Sequence, residues 1–244
     1  MYKSMETENI AINNVEIYGL NESIIASGYP MLSEVGDIHR PLTDKDNTRF
    51  SRLTNFPSGE GHHVSLQGII VQFDLTAPIK MWVEMQRYHF IEFVSSMSTM
   101  HRIAKFNLDK SYDKYVDKAI IDRMKELQQE YLNAPSPENY LKLLMSNPCG
   151  MRLPARLSTN YRQLKTIVYQ RKGHRLPHWA DFIEWCRRLP YSEAIFSGNY
   201  PSPKKAIEFM DSKGYHFFQC PKCSNFVLRR VNFCSECGQK LEWK

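Results

Sequence analysis

The stretch from Trp82 to Ile103, WVEMQRYHFIEFVSSMSTMHRI, decides how the rest of the sequence is interpreted. It follows a strand-like run, and its apolar residues recur at three and four positions, which predicts a helix from about Ile79 to Phe93. Two imidazoles and three hydroxyls lie close together in it: His89, Ser95, Ser96, Ser98 and His101. Such a density of polar side chains indicates a lined pocket, although hydroxyls near a helix end also serve as caps.

Apolar spacing and chain breakers divide the remaining sequence into elements. Residues 1–13 are polar and expected to be loose, Val15–Ile25 is interpreted as a short strand and turn, and residues 33–60 as a long loop or a few short helices. Alternation predicts a strand over Val64–Leu75. Apolar residues three and four apart predict further helices over Asp109–Leu132, Ser136–Met145, Ala155–Lys172 and Leu176–Leu189.

Composition limits the classes of protein to which the chain can belong. Its 244 residues suffice for one medium domain and a small module, and 42% hydrophobic with 24% charged residues is ordinary for a globular protein. The sequence contains no apolar run of the ~18–20 residues that a membrane span requires. The N-terminus shows neither an apolar signal core nor an Arg-rich pattern, so we expect a cytoplasmic protein. The net charge of +6 suits anionic ligands but is also common by chance.

Four of the six cysteines form two close pairs near the C-terminus. The spacing is Cys-x2-Cys-x10-Cys-x2-Cys, which predicts a zinc ribbon whose ligands are Cys220, Cys223, Cys234 and Cys237. Four thiolates leave no open position, so the Zn²⁺ is expected to be structural rather than catalytic. An iron–sulfur site or a redox pair is the alternative. Basic and aromatic residues in this module suit nucleic acid, and a packing or partner-binding role is the other interpretation.

Other motifs flank the opening stretch at recognisable intervals. Gly61-His62 precedes the predicted strand, and Tyr88-His89-Phe90 is followed by Ser98. The later segment LSTNYRQL is followed by an arginine, and its polar members are Asn160, Arg162 and Arg171. In order and spacing, roughly residues 15–190 resemble the flavin-dependent thymidylate synthases. That family has a Gly-His pair before a strand, an Arg-His-Arg triplet with a serine beyond it, and an Asn-x-Arg-Ser-Leu helix with a second arginine.

The resemblance implies an α+β fold with a small antiparallel sheet and several helices, here followed by the zinc ribbon. It also implies one-carbon transfer to the uracil ring of dUMP or a related pyrimidine deoxynucleotide. The implied cofactors and co-substrates are FAD, NADPH and methylenetetrahydrofolate. Proteins of the family are homotetramers with active sites built between subunits, so the resemblance implies a tetramer.

The family's motifs assign expected roles to individual residues. The residues expected to be catalytic are Ser98 and Arg171. Those expected to bind the cofactor are His62, Arg87, His89, Asn160 and Arg162, with Arg87 one position out of register. Those expected to contact the substrate are Ser96, Ser98, Arg162 and Arg171. For each there is a structural alternative: a capping serine, a core or turn histidine, or an arginine on a solvated basic face.

Tyr88 and Phe90 stand where the family has arginines, which removes two cations from the flavin site. A charged hydrogen bond contributes ~1.5–3 kcal/mol, whereas stacking on these rings would contribute ~1–3 kcal/mol. Three interpretations therefore stay open: an active variant, an enzyme acting on another pyrimidine nucleotide or with another one-carbon outcome, or a fold that has lost the reaction. The last includes a nucleic-acid-binding or assembly protein that uses its zinc ribbon, or a nucleotide sensor.

The predicted organisation has four parts. Residues 1–14 form a loose N-terminus, 15–196 the nucleotide and flavin domain, 197–213 a linker and 214–244 the zinc ribbon. Cys149 lies in a turn, and Cys186 lies in an apolar helix where a buried, inert thiol is the ordinary interpretation.

Overall fold

The computed structural model describes residues 4–34, 38, 40–56, 61–197, 204–210, 214–229 and 241–243. The chain divides into two compact units. The first consists of Met1–Glu22 and Gln67–Ile195, and the second of Ser23–Leu66 and Phe196–Lys244. The predicted division into a nucleotide and flavin domain that ends at residue 196 and a zinc ribbon that begins at residue 214 stays a prediction. Within the described residues, none of the helices is long and apolar enough to cross a membrane.

A five-stranded antiparallel sheet forms the centre of the first unit. Its order is β1-β2-β3-β5-β4, and the strands are β1 Met5–Glu6, β2 Ala11–Tyr18, β3 Ile70–Pro78, β4 Ile91–Ser96 and β5 Arg152–Asn160. The expected mixed fold with a small antiparallel sheet is confirmed. Part of the segment expected to be loose, residues 1–14, belongs to β1 and β2.

The central strand β3 explains where the core lies. Alternate side chains of β3 are fully buried on one face, as period-two patterning requires: Val71, Phe73, Leu75 and Ala77. The Phe73 ring lies 4.6 Å from Trp185 and 6.0 Å from Phe182, centroid to centroid. Helix α8 (His178–Cys186), which carries both partners, therefore covers this face of the sheet.

The first unit contains further helices beside α8. They are α3 Ile79–Met85, α4 Thr99–Arg102, α5 Lys118–Asn133, α6 Pro137–Met145 and α7 Tyr161–Arg171. Helices α1 (Leu20–Ala26) and α9 (Ser192–Phe196) lie at the junctions with the second unit. The predicted helix over Ser136–Met145 is confirmed, with Ser136 as its cap.

Two predicted helices are partly strands. The helix expected to reach Phe93 ends at Met85, and β4 begins at Ile91 because this segment pairs with β5. The helix expected from Ala155 begins at Tyr161, since residues 152–160 pair with both β3 and β4. The non-local hydrogen bonds of the sheet outweigh the local helical spacing in both segments.

The start of α5 is also later than predicted. Residues 109–117 form turns instead of helix, and Asp117 caps the helix by accepting a hydrogen bond from Ala119 N at 2.8 Å. Asp113, within these turns, is buried and pairs with the buried imidazole of His178 at 2.7 Å. This contact fixes the turn segment against the start of α8.

The described part of the second unit includes helix α2 and four short strands. Helix α2 (Asp44–Thr54) lies in the region expected to be loop or short helices. Further on, β6 (Lys204–Lys205) pairs with β9 (Leu241–Glu242), and β7 (Ile207–Met210) pairs antiparallel with β8 (His216–Gln219).

Two of the four expected zinc ligands lie in the described part of this unit. Cys220 is buried with Leu241, and Cys223 packs against them. Neither forms a disulfide bond with another described cysteine. Cys234 and Cys237 lie outside the described residues, and within the described ranges no group of three or more His, Cys, Asp or Glu could hold a metal ion.

Candidate functional site

A polar cleft lies in the first unit between helix α7 and the loop that joins α3 to β4. Its volume is about 460 Å³, within the range of about 300–1,000 Å³ typical of small-molecule sites. Two segments supply its lining: Arg87, Tyr88, His89 and Phe90 from the loop, and Gln163, Thr166, Gln170 and Arg171 from the helix. The cleft thus brings Tyr88-His89-Phe90, which stands where the family has Arg-His-Arg, next to the helix that carries Arg171.

Asn160 determines where the helical side of the cleft begins. It is the last residue of β5 and the N-cap of α7, and its Oδ1 accepts a hydrogen bond from Gln163 N at 2.9 Å. Such a cap stabilises the first turn of a helix by about 1 kcal/mol. From this start, Gln163, Thr166 and Gln170 follow at intervals of three and four and so share one face. Asn160 therefore acts on the cleft by positioning α7.

Arg171 is held in place by residues beside the cleft. Its Nε donates to Tyr88 Oη at 2.9 Å, and its Nη1 donates to Glu84 Oε2 at 3.2 Å. The guanidinium also lies over the Trp179 ring, 4.6 Å from the centroid. Because these contacts use both the charge and the planar face of the group, Arg171 is oriented before any ligand arrives.

Glu84 is the acidic partner in this arrangement. Burial raises the pKa of its carboxyl, but the hydrogen bond from Trp179 Nε1 (2.9 Å) and the nearby charges of His174 and Arg171 outweigh burial, so the pKa is lowered. Glu84 is consequently ionised at neutral pH. His174 Nδ1 accepts a hydrogen bond from Leu176 N at 3.1 Å. The other ring nitrogen, Nε2, lies 3.1 Å from Arg171 Nη1 and 3.4 Å from Glu84 Oε2.

The loop side of the cleft presents cationic and polar groups to solvent. Arg87 and His89 are exposed, and within the described part of the chain neither side chain forms a hydrogen bond or ion pair. Phe90 is 59% exposed. Arg87 is therefore the guanidinium in this cleft that is free to meet an anion.

Gln163 supplies a buried donor on the helical side. The residue is 7% exposed, and its Nε2 is buried without a hydrogen-bond partner in the described structure. A buried amide donor without a partner costs about 1–3 kcal/mol. A ligand that offered a carbonyl or phosphate oxygen to this amide would relieve that cost.

Other expected site residues lie outside the lining of this cleft. Ser98 caps α4 by accepting from His101 N at 3.3 Å, as the structural alternative anticipated, and Ser96 is exposed at the end of β4. Arg162 is half-buried on α7, where its carbonyl accepts from Thr166 Oγ1 at 3.2 Å. The roles expected for these side chains stay predictions.

His62 belongs to the second unit. Its ring lies 4.6 Å from that of Phe56, and it lines a separate cavity of about 530 Å³ together with Arg49 and Arg52. Of the expected residues, the structure thus brings Arg87, His89 and Arg171 into one cavity.

Comparisons with known proteins are informative at the level of structure. No protein-family model matches the chain, and neither does any curated protein. A flavin-dependent thymidylate synthase ThyX from Helicobacter pylori, complexed with FAD and dUMP, is similar to it with a TM-score of 0.53 and 13% identity, covering 75% of this chain and 94% of the other. A second Helicobacter pylori ThyX structure with FAD and dUMP gives 0.57 and 14%, covering 74% and 95%.

The fold of this chain is ThyX-like. The UMP/dUMP methylase PolB from Streptomyces cacaoi, bound with 5-Br dUMP, is also similar, with a TM-score of 0.54 and 10% identity over 77% of this chain and 94% of the other. At such identities the likeness establishes the ThyX-like fold alone. Any function must therefore be argued from the side chains of this chain.

Several cleft residues were not identified from the sequence. The spacing of Gln163, Thr166 and Gln170 was available as a signal, since it places three polar side chains on one helical face. Glu84 and Trp179 had no such signal. Glu84 is 87 positions from Arg171 and 95 from Trp179, and only the tertiary fold brings it to them.

Proposed function

We propose that the chain binds dUMP or a related pyrimidine deoxynucleotide in the cleft between α7 and the 87–90 loop, and that it transfers a one-carbon unit to the uracil ring. The observation that carries this proposal is the shared lining by Arg87, His89 and Arg171. The ThyX-like fold supports it, since the similar structures are described with dUMP or its 5-bromo derivative.

The donors in the cleft fit an anionic ligand rich in acceptor oxygens. Arg87 offers a charged fork to phosphate, His89 offers a ring N–H, and Gln163 offers an amide N–H without a partner among the described residues. The exposed ring of Phe90 offers a stacking surface. Phosphate and ring-carbonyl oxygens are found both in a uridine nucleotide and in FAD, so the residues fit either ligand.

FAD, when bound, would supply electrons for completing the transferred group as a methyl. The residues proposed to hold it are Arg87 and His89, with Tyr88 or Phe90 stacked on its ring. By resemblance, NADPH would reduce the flavin and methylenetetrahydrofolate would donate the carbon. The catalytic and substrate roles of Ser96, Ser98, Arg162 and Arg171 and the flavin contacts of His62 and Asn160 are part of this proposal.

In this proposal, Arg171 polarises the ligand rather than capturing it from solvent. Its guanidinium is already oriented by Glu84, Tyr88 and Trp179, so little side-chain freedom is lost on binding. Arg87, which is exposed, provides the first electrostatic contact. The two arginines therefore have different tasks.

A homotetramer is proposed by resemblance, and an exposed sheet edge is consistent with it. Strand β4 lies at the edge of the sheet; its Val94 is 60% exposed, and Phe90, just before the strand, is 59% exposed. Exposed apolar edge strands readily pair with another chain. A second protomer at this edge would lie beside the cleft.

A structural Zn²⁺ is proposed for the second unit, held by Cys220 and Cys223 together with Cys234 and Cys237. Its support is the Cys-x2-Cys-x10-Cys-x2-Cys spacing and the burial of Cys220 against Leu241. Such a small module has little apolar core, so metal binding would stabilise its fold.

Two measurements on the full-length protein test the proposed activity. Added FAD is expected to acquire a protein-bound visible spectrum, and incubation of dUMP with FAD, NADPH and methylenetetrahydrofolate is expected to yield a methylated nucleotide by mass spectrometry. A protein that binds dUMP but gives no product, with or without flavin, would reduce the proposal to nucleotide binding. A protein that binds neither dUMP nor FAD would overturn it.

A further inference from the structure

The β7–β8 hairpin carries aromatic rings on a solvent-exposed face. Phe209 and Phe217 are directly opposite in the register, and their rings are stacked at 5.6 Å with an interplanar angle of 19°. The Phe226 ring lies 5.8 Å from the first and 6.3 Å from the second. The three residues, here called the aromatic face, are 37%, 38% and 65% exposed.

The hairpin's packing partners lie on its other face. The Phe218 ring, which points to the opposite side of β8 from Phe217, meets Trp243 edge-on at 5.1 Å. Trp243 in turn packs against the buried pair Cys220 and Leu241. Among the described residues, the small core of this region thus uses the Phe218 side, whereas the aromatic face is exposed.

The segment that carries the aromatic face is basic in sequence. Residues 204–244 contain eight Lys or Arg and four Asp or Glu, a formal balance of +4 within a chain whose total is +6. Arg229 lies over the Phe218 ring at 5.8 Å and lines a cavity of about 520 Å³ together with His216, Phe217 and Phe226. A cation therefore shares this cavity with two rings of the aromatic face.

We propose that the aromatic face binds single-stranded nucleic acid. Stacking of bases on aromatic rings contributes ~1–3 kcal/mol per base and requires unpaired bases, while basic side chains track the phosphates. A protein partner would also use exposed rings, but the excess of positive charge favours a polyanion. This surface and its chemistry are independent of the dUMP site.

The test uses fluorescence anisotropy of the full-length protein with labelled oligothymidylate, oligouridylate of equal length and a duplex of that length. Tighter binding of single strands than of the duplex is expected, with affinity falling as salt rises. Comparison of the two single strands determines whether DNA or RNA is preferred. Arg229→Gln is expected to weaken binding and to make it less dependent on salt.

Substitutions at Phe226 separate stacking from general apolar contact. Phe226→Leu retains apolar volume and Phe226→Ala does not, yet both are expected to weaken single-strand binding about tenfold because both remove the ring. Tyr115→Ala, at a 67% exposed tyrosine of the first unit, is the matched control and should bind normally. Equal binding of duplex and single strand, full affinity in folded Phe226→Leu, or no binding of any oligonucleotide would overturn the proposal. Capture of a protein with unchanged affinity in Phe226→Leu would point to an apolar docking surface instead.

Discussion

Arg171 and Glu84 form an ion pair at the edge of the cleft, with 3.2 Å between Nη1 and Oε2 and only 15% and 16% of the two side chains exposed. Half-buried pairs of this kind are screened by solvent less than surface pairs. The carboxylate therefore offsets much of the positive charge of Arg171 before a ligand binds. An anionic ligand must interact with an arginine that already has a partner.

Substitution Glu84→Gln tests this relationship. It keeps a neutral acceptor for Trp179 but removes the carboxylate charge, so we expect dUMP affinity to rise about three- to tenfold, a change of about 0.7–1.4 kcal/mol. Loss of the ion pair is expected to lower the free energy of unfolding by about 1–2 kcal/mol. Calorimetric titration and chemical denaturation measure the two effects.

The control for that substitution is Glu184→Gln. Glu184 is 57% exposed and pairs with Arg187 three positions later, so its replacement should change unfolding free energy by less than about 0.5 kcal/mol. It should leave nucleotide affinity unchanged. Weaker dUMP binding in Glu84→Gln would show that the ion pair positions Arg171 more than it opposes the ligand.

Asp46 is expected to stabilise the second unit through its charge. It is buried and accepts from Arg40, and it forms a capping box with Thr43 at the start of α2. Asp46→Asn keeps the shape but loses charge-assisted hydrogen bonds, so the free energy of unfolding should fall by about 2–4 kcal/mol. Asp44→Asn, at an exposed position of the same helical turn, should change it by less than about 0.5 kcal/mol.

Low pH should abolish the stabilisation that the Asp46 carboxylate provides. The hydrogen bond from Arg40, above all, holds the pKa of Asp46 well below its usual value. The unfolded chain therefore takes up a proton near pH ~4 while the folded chain does not, and stability falls as pH decreases. Denaturation curves should show that wild type is more stable than Asp46→Asn at pH ~7, and that this difference in the free energy of unfolding shrinks below pH ~4. A difference independent of pH would exclude this explanation.

Lys165 should also make stability rise with pH, but in the alkaline range. It is buried on α7, where burial lowers the pKa of its amine from 10.5 to about 8. The charged form is thus disfavoured in the folded state below pH 8, by roughly 3 kcal/mol. Stability through this group should rise between about pH 8 and 10.5, because there the unfolded chain keeps a proton that the folded chain has lost.

Lys165→Met removes this pH dependence. At pH ~7 it should raise the free energy of unfolding by about 1–2 kcal/mol, less than the full penalty because the hydrogen bond to Ala194 O is lost. The gain should disappear toward pH ~10. Lys172→Met, at an exposed lysine just after α7, is the comparison and should be neutral at both pH values. If Lys165→Met were less stable than wild type at neutral pH, the contacts of the Lys165 amine would outweigh the cost of burying it.

The sequence was sufficient to predict the class of fold but not the conformation of its most informative stretch. The helical spacing from Ile79 to Phe93 was genuine as far as Met85, and the ring of Trp82 still packs 5.3 Å from that of Phe93. The segment after His89 nevertheless pairs with β5. A short apolar run fits both the helical and the strand period, and the partner strand is about sixty residues away. The local pattern therefore could not distinguish a helix from a strand in this segment.

Only some residues of the candidate site could be predicted from the sequence, for a similar reason. Arg87, His89 and Arg171 were identified from motif order, and they line one cleft. The acidic partner Glu84 could not be found, because its contact with Arg171 spans 87 positions and carries no sequence pattern. A lysine is ordinarily exposed, yet Lys165 is 4% exposed because α7 begins at Asn160, which sets the phase of the helix against the sheet.

Calorimetric titration of dUMP into the full-length protein and its Arg87→Gln variant tests the proposed site most directly. Arg87 is exposed and forms no hydrogen bond or ion pair with a described residue, so the variant should fold normally. Saturable binding is expected in the wild type. Arg87→Gln should weaken it about ten- to a hundredfold, the effect of losing a charged hydrogen bond, while Arg188→Gln, at an exposed arginine outside the cleft, should bind as wild type does. Equal dUMP affinity in the wild type and both variants would show that the nucleotide does not bind in this cleft.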